Sequence, residues 1–240
     1  MTHRMLIAVF LLTASLLAGP VRPAAAAAPG VSHTVWSVAS TAPVGALFQG
    51  STADGNHVCT ASVVSSKGRD LLVTAAHCLD GGTDGLVFVP GYHDGEEPYG
   101  EWKVTEAVTG PRWTEDTDED ADVAFAVVGS SDGERIQDVV GAYTLGVAGV
   151  PGSAVTVTGY PSDSDTPITC TNRAGTYTDS QWVIACPGYS GGTSGSPWVT
   201  ADGTVIGAIG GYQRGGDTDD VSYSVRFDAG TEALFQLADR

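Results

Sequence analysis

The feature that most constrains this 240-residue chain is its punctuation. Short runs rich in Val, Thr, Ile and aromatic residues alternate with Gly, Pro, Asp and Ser. The runs fall at 45–49, 58–64, 71–75, 86–90, 101–108, 122–128, 154–160, 168–176, 181–186, 196–200, 204–209 and 221–227. β-Branched and aromatic side chains suit a pleated, half-buried surface, and the intervening residues suit turns. Many short strands with frequent turns predict an all-β sandwich or barrels. Ala154-Val155-Thr156-Val157-Thr158 shows the clearest period of two. The only helical signal is terminal: Thr231 to Ala238, with Leu234, Phe235 and Leu237, predicts one short helix. Gly129, Ser130, Ser131, Asp132 and Gly133 mark 129–142 as a connection between halves, and no internal repeat is visible.

A hydrophobic content of 42% is enough for a sizeable core. The formal net charge of −17 sets the chain against nucleic-acid phosphates, so nucleic acid is not an expected partner. The N-terminus reads as a secretory leader. Arg4 precedes an apolar run from Met5 to Leu17, and Ala24 to Ala28 offer small residues for cleavage near Ala27. Losing residues 1–27 removes Arg4 and Arg22 and no acid, which makes the remainder still more acidic. No later segment approaches 18 apolar residues, so a secreted product without stable membrane association is expected.

Four cysteines, Cys59, Cys78, Cys170 and Cys186, follow the leader. An even count in a secreted chain argues for two disulfides, with three pairings possible. The local pairing, Cys59–Cys78 with Cys170–Cys186, would close two short loops. No pair has the C-x2-4-C spacing of structural zinc sites, and no metal is expected there.

Three segments hold the residue types of nucleophilic hydrolysis. Thr74-Ala75-Ala76-His77-Cys78 follows the apolar strand Leu71-Leu72-Val73. Asp122-Val123-Ala124-Phe125 closes an acidic run. Gly191-Gly192-Thr193-Ser194-Gly195-Ser196-Pro197-Trp198 forms a Gly-rich turn. A serine hydroxyl needs an imidazole to take its proton, and a carboxylate to fix that imidazole's tautomer. It also needs backbone N–H groups aimed at the developing oxyanion, which a Gly-rich turn permits.

These blocks resemble the trypsin-like serine peptidases of chymotrypsin fold. The nucleophile block Gly-Thr-Ser-Gly-Ser-Pro has the form seen in bacterial members such as the glutamyl endopeptidases. The resemblance runs from about Val44 to Phe227. It implies two six-stranded antiparallel β-barrels with the site at their interface. It also implies His77 as general base, Asp122 as orienting carboxylate and Ser194 as nucleophile, with the N–H groups of Gly192 and Ser194 as oxyanion hole. A bridge from Cys78 back to Cys59 is implied as well. On this basis the chain divides into a signal peptide at 1–27 and an N-terminal arm or short pro-segment at 28–43. The first barrel then occupies 44–128, the inter-barrel connection 129–142, and the second barrel with its terminal helix 143–240.

The expected function is a secreted, extracellular, monomeric serine endopeptidase that acts on a peptide or protein through an acyl-enzyme, with no cofactor. The alternatives are a catalytically silent relative that binds protein or carbohydrate, and an esterase on the same scaffold. Ser196, His57, His93 and His33 are expected to be non-catalytic. Gly188-Tyr189-Ser190-Gly191-Gly192 matches the G-x-S-x-G elbow, but no histidine follows His93 to serve it. The acids from Glu115 to Asp122 include a D-x-D-x-D pattern, yet Ala121 replaces the glycine a calcium loop requires, so a solvated loop is expected.

Two departures from digestive relatives stand out. Thr193 replaces the aspartate that pairs there with a freed N-terminal amine. The expected specificity pocket, Gly188, Tyr189, Ile209, Gly210 and Gly211, carries no acid for Arg or Lys and no histidine for Glu. It predicts apolar or aromatic side chains before the scissile bond, with Gly210 and Gly211 pairing the substrate backbone.

Overall fold

The computed structural model describes residues 28–37, 39, 41–50, 52 and 56–240. The leader expected over 1–27 lies outside the described residues. The first described strands are β1 (Ser32–Thr34), β2 (Val44–Gln49), β3 (His57–Val64), β4 (Leu71–Thr74), β5 (Leu86–Pro90), β6 (Trp102–Thr109) and β7 (Ala124–Val128). Helix α1 (Pro111–Asp116) lies between β6 and β7, and α2 (Ile136–Val140) follows β7. Then come β8 (Thr144–Leu145), β9 (Ala154–Gly159), β10 (Ile168–Arg173), β11 (Gly175–Thr176) and β12 (Gln181–Ala185). β13 (Pro197–Thr200), β14 (Thr204–Ala208), β15 (Val221–Val225) and the terminal helix α3 (Ala229–Ala238) complete the order.

The first half closes into a barrel in the order β2-β3-β4-β7-β6-β5. Leu47, Val63, Leu72, Phe88 and Trp102 fill it. Residues 129–142 were expected as a plain connection. They carry α2, whose Ile136 and Val140 are buried in this core. Two apolar residues four apart share one helix face, but five residues are too few to show that period in a sequence.

The second half is built as two sheets, β1-β10-β9-β13-β14-β8 and β11-β12-β15, around Val155, Val157, Trp182, Trp198 and Ile206. The β14–β15 seam is closed by an Ile209–Ser224 bridge and by the Ala208 N–H donating to Ser224 Oγ at 2.9 Å. The β10–β12 seam is closed by the N-terminal arm. β1 runs antiparallel to β10, so His33 sits opposite Thr169. The Gly30 N–H donates to the Ala185 carbonyl at 2.8 Å. Asn172 Nδ2 donates to both Ala28 O (3.0 Å) and Ala185 O (2.8 Å). Gly30 lies over the Cys170–Cys186 bridge so closely that a Cβ there would stand 2.5 Å from Cys170 Sγ.

The two barrels meet along Val64, Leu71, Val73 and Phe125 on one side and Val205, Ala208, Val225 and Phe227 on the other. Helix α3 covers this seam with Leu234 and Ala238. It starts two residues before the predicted position because Asp228 caps it, accepting from the N–H groups of Gly230 (2.8 Å) and Thr231 (3.0 Å).

Candidate active site

β4 ends at Thr74 and the chain turns into a short 3-10 helix, Ala76–Leu79, which carries His77. Ala75 and Ala76 are fully buried, and a Cβ at Gly210 would approach the Ala75 Cβ to 3.2 Å, so only small residues fit at this corner. The Cys59–Cys78 disulfide ties the corner back to β3. Asp122 leaves the 3-10 turn Glu119–Ala121 and is 1% exposed. Its Oδ1 accepts the His77 backbone N–H at 3.0 Å. Its Oδ2 faces His77 Nδ1 at 2.8 Å and accepts the Gly211 N–H at 2.9 Å. Hydrogen bonding thus puts the ring proton on Nδ1 and leaves the Nε2 lone pair available.

Ser194 lies on a turn bounded by Gly192 (φ 89°) and Gly195 (φ 84°), both left-handed. A Cβ at Gly192 would meet the Tyr160 carbonyl at 2.7 Å, and one at Gly195 would meet the Thr60 carbonyl at 2.1 Å, so glycine is required at both. The Thr193 N–H is used by the Ser190 carbonyl (3.2 Å) and the Gly195 N–H by the Ile209 carbonyl (2.7 Å). Among the described residues, the N–H groups of Gly192 and Ser194 have no acceptor. The turn therefore offers two unpaired donors beside a hydroxyl. Thr193 Oγ1 donates to Ser190 O at 2.6 Å, so the residue in the aspartate's place closes the turn internally.

Thr60 of β3 holds this turn from the other barrel. Its N–H donates to Ser194 O at 2.7 Å and its Oγ1 to Gly192 O at 3.0 Å. Its Oγ1 also accepts the Tyr160 N–H at 3.0 Å, and its carbonyl accepts Thr74 Oγ1 at 2.8 Å. Nothing local in the sequence singles out Thr60. Ser194 Oγ donates to the carbonyl of Arg214 at 3.4 Å, and among the described residues no hydrogen bond joins it to His77.

A cavity of about 170 Å³ opens beside Ser194. Of the residues expected to line it, Tyr189 and Ile209 do so, whereas Gly188, Gly210 and Gly211 do not. Gly210 and Gly211 turn their N–H groups inward, to Tyr223 O (3.0 Å) and Asp122 Oδ2 (2.9 Å). The rest of the wall includes Ser190, Arg214, Asp217 and Asp219. This wall is polar, unlike the apolar slot anticipated from sequence. Its acids come from an exposed loop past the strand, Gly216-Asp217-Thr218-Asp219, which in sequence looks like a solvated turn.

Ser196 is fully buried and donates to Thr193 O at 2.6 Å. His57 is buried beside Phe48, Tyr92 and Tyr160, with Nε2 3.1 Å from Ser164 O. His93 is half-buried, with Nδ1 3.2 Å from Gly91 O. The acidic run does not converge on a point. Asp118 takes Arg112, Glu119 takes the Gln213 N–H, Asp120 takes Gln181 and Asp122 takes His77. The Asp120 N–H and the Arg112 guanidinium hold the Asp118 carboxyl below its usual range. The one close His/Cys/acid group among the described residues is Cys59, His77 and Cys78, whose sulfurs are spent in the disulfide.

A family model described as a trypsin-like peptidase domain matches residues 59–207. Among solved structures, the chain resembles protease Anisep from Arthrobacter nicotinovorans. That match has a TM-score of 0.74 and 23% identity, over 87% of this chain and 99% of that one. It also resembles the thermostable serine protease AL20 from an extremophilic microorganism, with a TM-score of 0.73 and 27% identity, over 84% of this chain and 98% of that one. A Glu endopeptidase in complex with MPD matches with a TM-score of 0.71 and 15% identity, over 90% of this chain and 99% of that one. No curated protein sequence matches.

Proposed function

Because this chain belongs to the trypsin-like peptidase family, we propose that it is a serine endopeptidase whose working residues are His77, Asp122 and Ser194. The observation that carries this reading is the buried His77–Asp122 pair, which leaves Nε2 free to act as a base. In the reaction, His77 takes the Ser194 proton as Oγ attacks the scissile carbonyl, then returns it to the leaving amine. Asp122 keeps the ring in the productive tautomer and stabilises its cation. The unpaired N–H groups of Gly192 and Ser194 receive the oxyanion, and being fixed by the turn they need no reorganisation as charge develops. Water then releases the acyl group by the same route in reverse.

The cavity beside Ser194 would select against acidic side chains before the scissile bond. Asp217 and Asp219 line it, and the one guanidinium in its wall, on Arg214, is paired with Asp80. Export from the cell is supported by the apolar leader and by two disulfides, which persist in oxidising compartments.

The test is labelling with a serine-directed fluorophosphonate, read by intact mass and peptide mapping, with Ser194→Ala alongside. One adduct on Ser194, absent from the variant, is the expected result. Folded, processed protein that takes no adduct would overturn the reading.

A further inference from the structure

We propose that the segment 211–216 is an autoinhibitory strap. In the resting protein the Arg214 carbonyl holds the Ser194 hydroxyl proton, and the Arg214–Asp80 ion pair ties the strap across the cleft until substrate displaces it. This rests on the serine-peptidase reading above and concerns how that site is released.

A serine hydroxyl has one proton to donate. Directed at Arg214 O, 3.4 Å away, that proton is not directed at His77. The carbonyl and the imidazole are thus competing acceptors, and only the imidazole makes a nucleophile. The strap reaches this position through an unfavourable backbone. Gln213 (φ 51°, ψ 35°) and Arg214 (φ 56°, ψ 33°) are both left-handed, a region that side-chain-bearing residues avoid. Such a conformation persists only where surrounding contacts hold it.

Beside the Gly211–Asp122 bond and the packing of the Tyr212 ring on Tyr177 and Tyr223, three polar contacts do so. The Tyr212 N–H donates to Gln181 Oε1 at 2.9 Å, and the Gln213 N–H to Glu119 Oε1 at 3.0 Å. The third spans the two barrels: Arg214 Nη2 lies 3.6 Å from Asp80 Oδ2, two residues beyond the disulfide-bonded Cys78. Asp80 is itself fixed, since its Oδ1 accepts Trp113 Nε1 at 2.9 Å. The bond to Ser194 and the ion pair are both long for their kind, so at Arg214 itself the strap is lightly held across the cleft. Glycines bracket it, Gly211 (φ 79°) before and Gly215 (φ 115°) and Gly216 (φ 130°) after, and supply pivots. Arg214, Gly215 and Gly216 also form one wall of the cavity beside Ser194. A side chain entering that cavity presses on the strap, so substrate occupancy frees the nucleophile's proton. The resting and released forms are two populations that a small change in tethering redistributes.

The test times the labelling of Ser194 by a small, uncharged alkyl fluorophosphonate, too short to fill the cavity. It uses the wild type and Asp80→Asn, each at low and high salt, with melting curves to check folding. Asparagine keeps the oxygen that receives Trp113 Nε1, and replaces the charged oxygen facing Arg214 by an uncharged amide NH2 that cannot pair with the guanidinium. The strap predicts labelling about two- to fivefold faster in Asp80→Asn, the range a surface ion pair carries. High salt should accelerate the wild type and leave the variant unchanged, because it screens the pair. Equal or slower labelling in the variant would overturn the strap while leaving the serine peptidase standing. Absence of an adduct in both proteins would remove both readings. If the variant does not fold, the wild type decides alone, since a labelling rate indifferent to salt overturns the strap.

Discussion

Asp122 grips His77 at two points: Oδ1 accepts its backbone N–H at 3.0 Å, and Oδ2 faces its ring Nδ1 at 2.8 Å. Both oxygens are needed as acceptors, because Oδ2 also receives the Gly211 N–H. In Asp122→Asn one of these contacts becomes donor against donor, and the imidazole is pushed toward the wrong tautomer. The expected outcome is a fall in kcat of about 10³- to 10⁴-fold with KM little changed. Steady-state kinetics on a peptide amide, with circular dichroism to confirm folding, will measure it. A kcat within about tenfold of wild type would show that Asp122 does not orient the base.

The Cys59–Cys78 bridge spans 19 residues and anchors the corner that carries His77. A loop of that length contributes about 3 kcal/mol in the chain-entropy account. Replacing both cysteines by serine should lower the urea-unfolding free energy by that order. It should also lower kcat, since His77 loses its tether to β3. Unchanged stability under oxidising conditions would contradict the bridge's role.

The arm closes the β10–β12 seam, so it is expected to stay on the folded protein rather than be removed as a pro-segment. Asn172→Ala deletes two hydrogen bonds that hold the seam and should cost about 1–3 kcal/mol. Gly30→Ala should cost about as much, because its Cβ meets Cys170 Sγ at 2.5 Å and something must move. N-terminal sequencing of active protein should find a start no later than Gly30. An active form beginning after Thr34 would refute this.

Burial, reinforced by the neighbouring Asp165 carboxylate, pushes the Tyr92 hydroxyl from 10.0 up to about 12. Burial also raises Tyr160 and Tyr189. The folded state therefore holds these protons more tightly than the unfolded chain. For Tyr92 the contribution to stability is complete below pH 10 and drains away as the pH climbs through about 12, and Tyr160 and Tyr189 act in the same direction. Urea titrations across that window should show a falling unfolding free energy, with a shallower fall in Tyr92→Phe. Identical slopes in the two proteins would rule Tyr92 out as a contributor.

The pairing of His77 with Asp122 was legible in sequence because each side chain sits in a short block of distinctive neighbours. The strands were legible because alternation and turn residues are local signals. Thr60 was not: its partner Gly192 lies 132 residues away, and nothing beside it in the chain hints at the contact. Asp80 and Arg214 were missed for the same reason. α1 and α2 are too short to display a helical period, although Pro111 at the first turn of α1 was a usable start signal. β1 reads Ser-His-Thr, which is three polar residues with no alternation, and it exists only because β10 offers an edge. The acids of the cavity wall looked like solvent-facing charge because their loop is exposed and only its fold-back brings them to Ser194.

Thr60 sends two hydrogen bonds from the first barrel into the nucleophile turn of the second, and accepts one from Tyr160. Bonds within the second barrel shape the turn, but its carbonyls at Gly192 and Ser194 take their donors from Thr60, so they are satisfied only after the halves have docked. A chain with one half still unformed thus holds His77, Asp122 and Ser194 in its sequence but not the barrel-to-barrel bonds that seat the nucleophile turn. Assembly of the site is therefore tied to completion of the whole molecule, because one threonine of the first half serves as the keystone of a loop in the second.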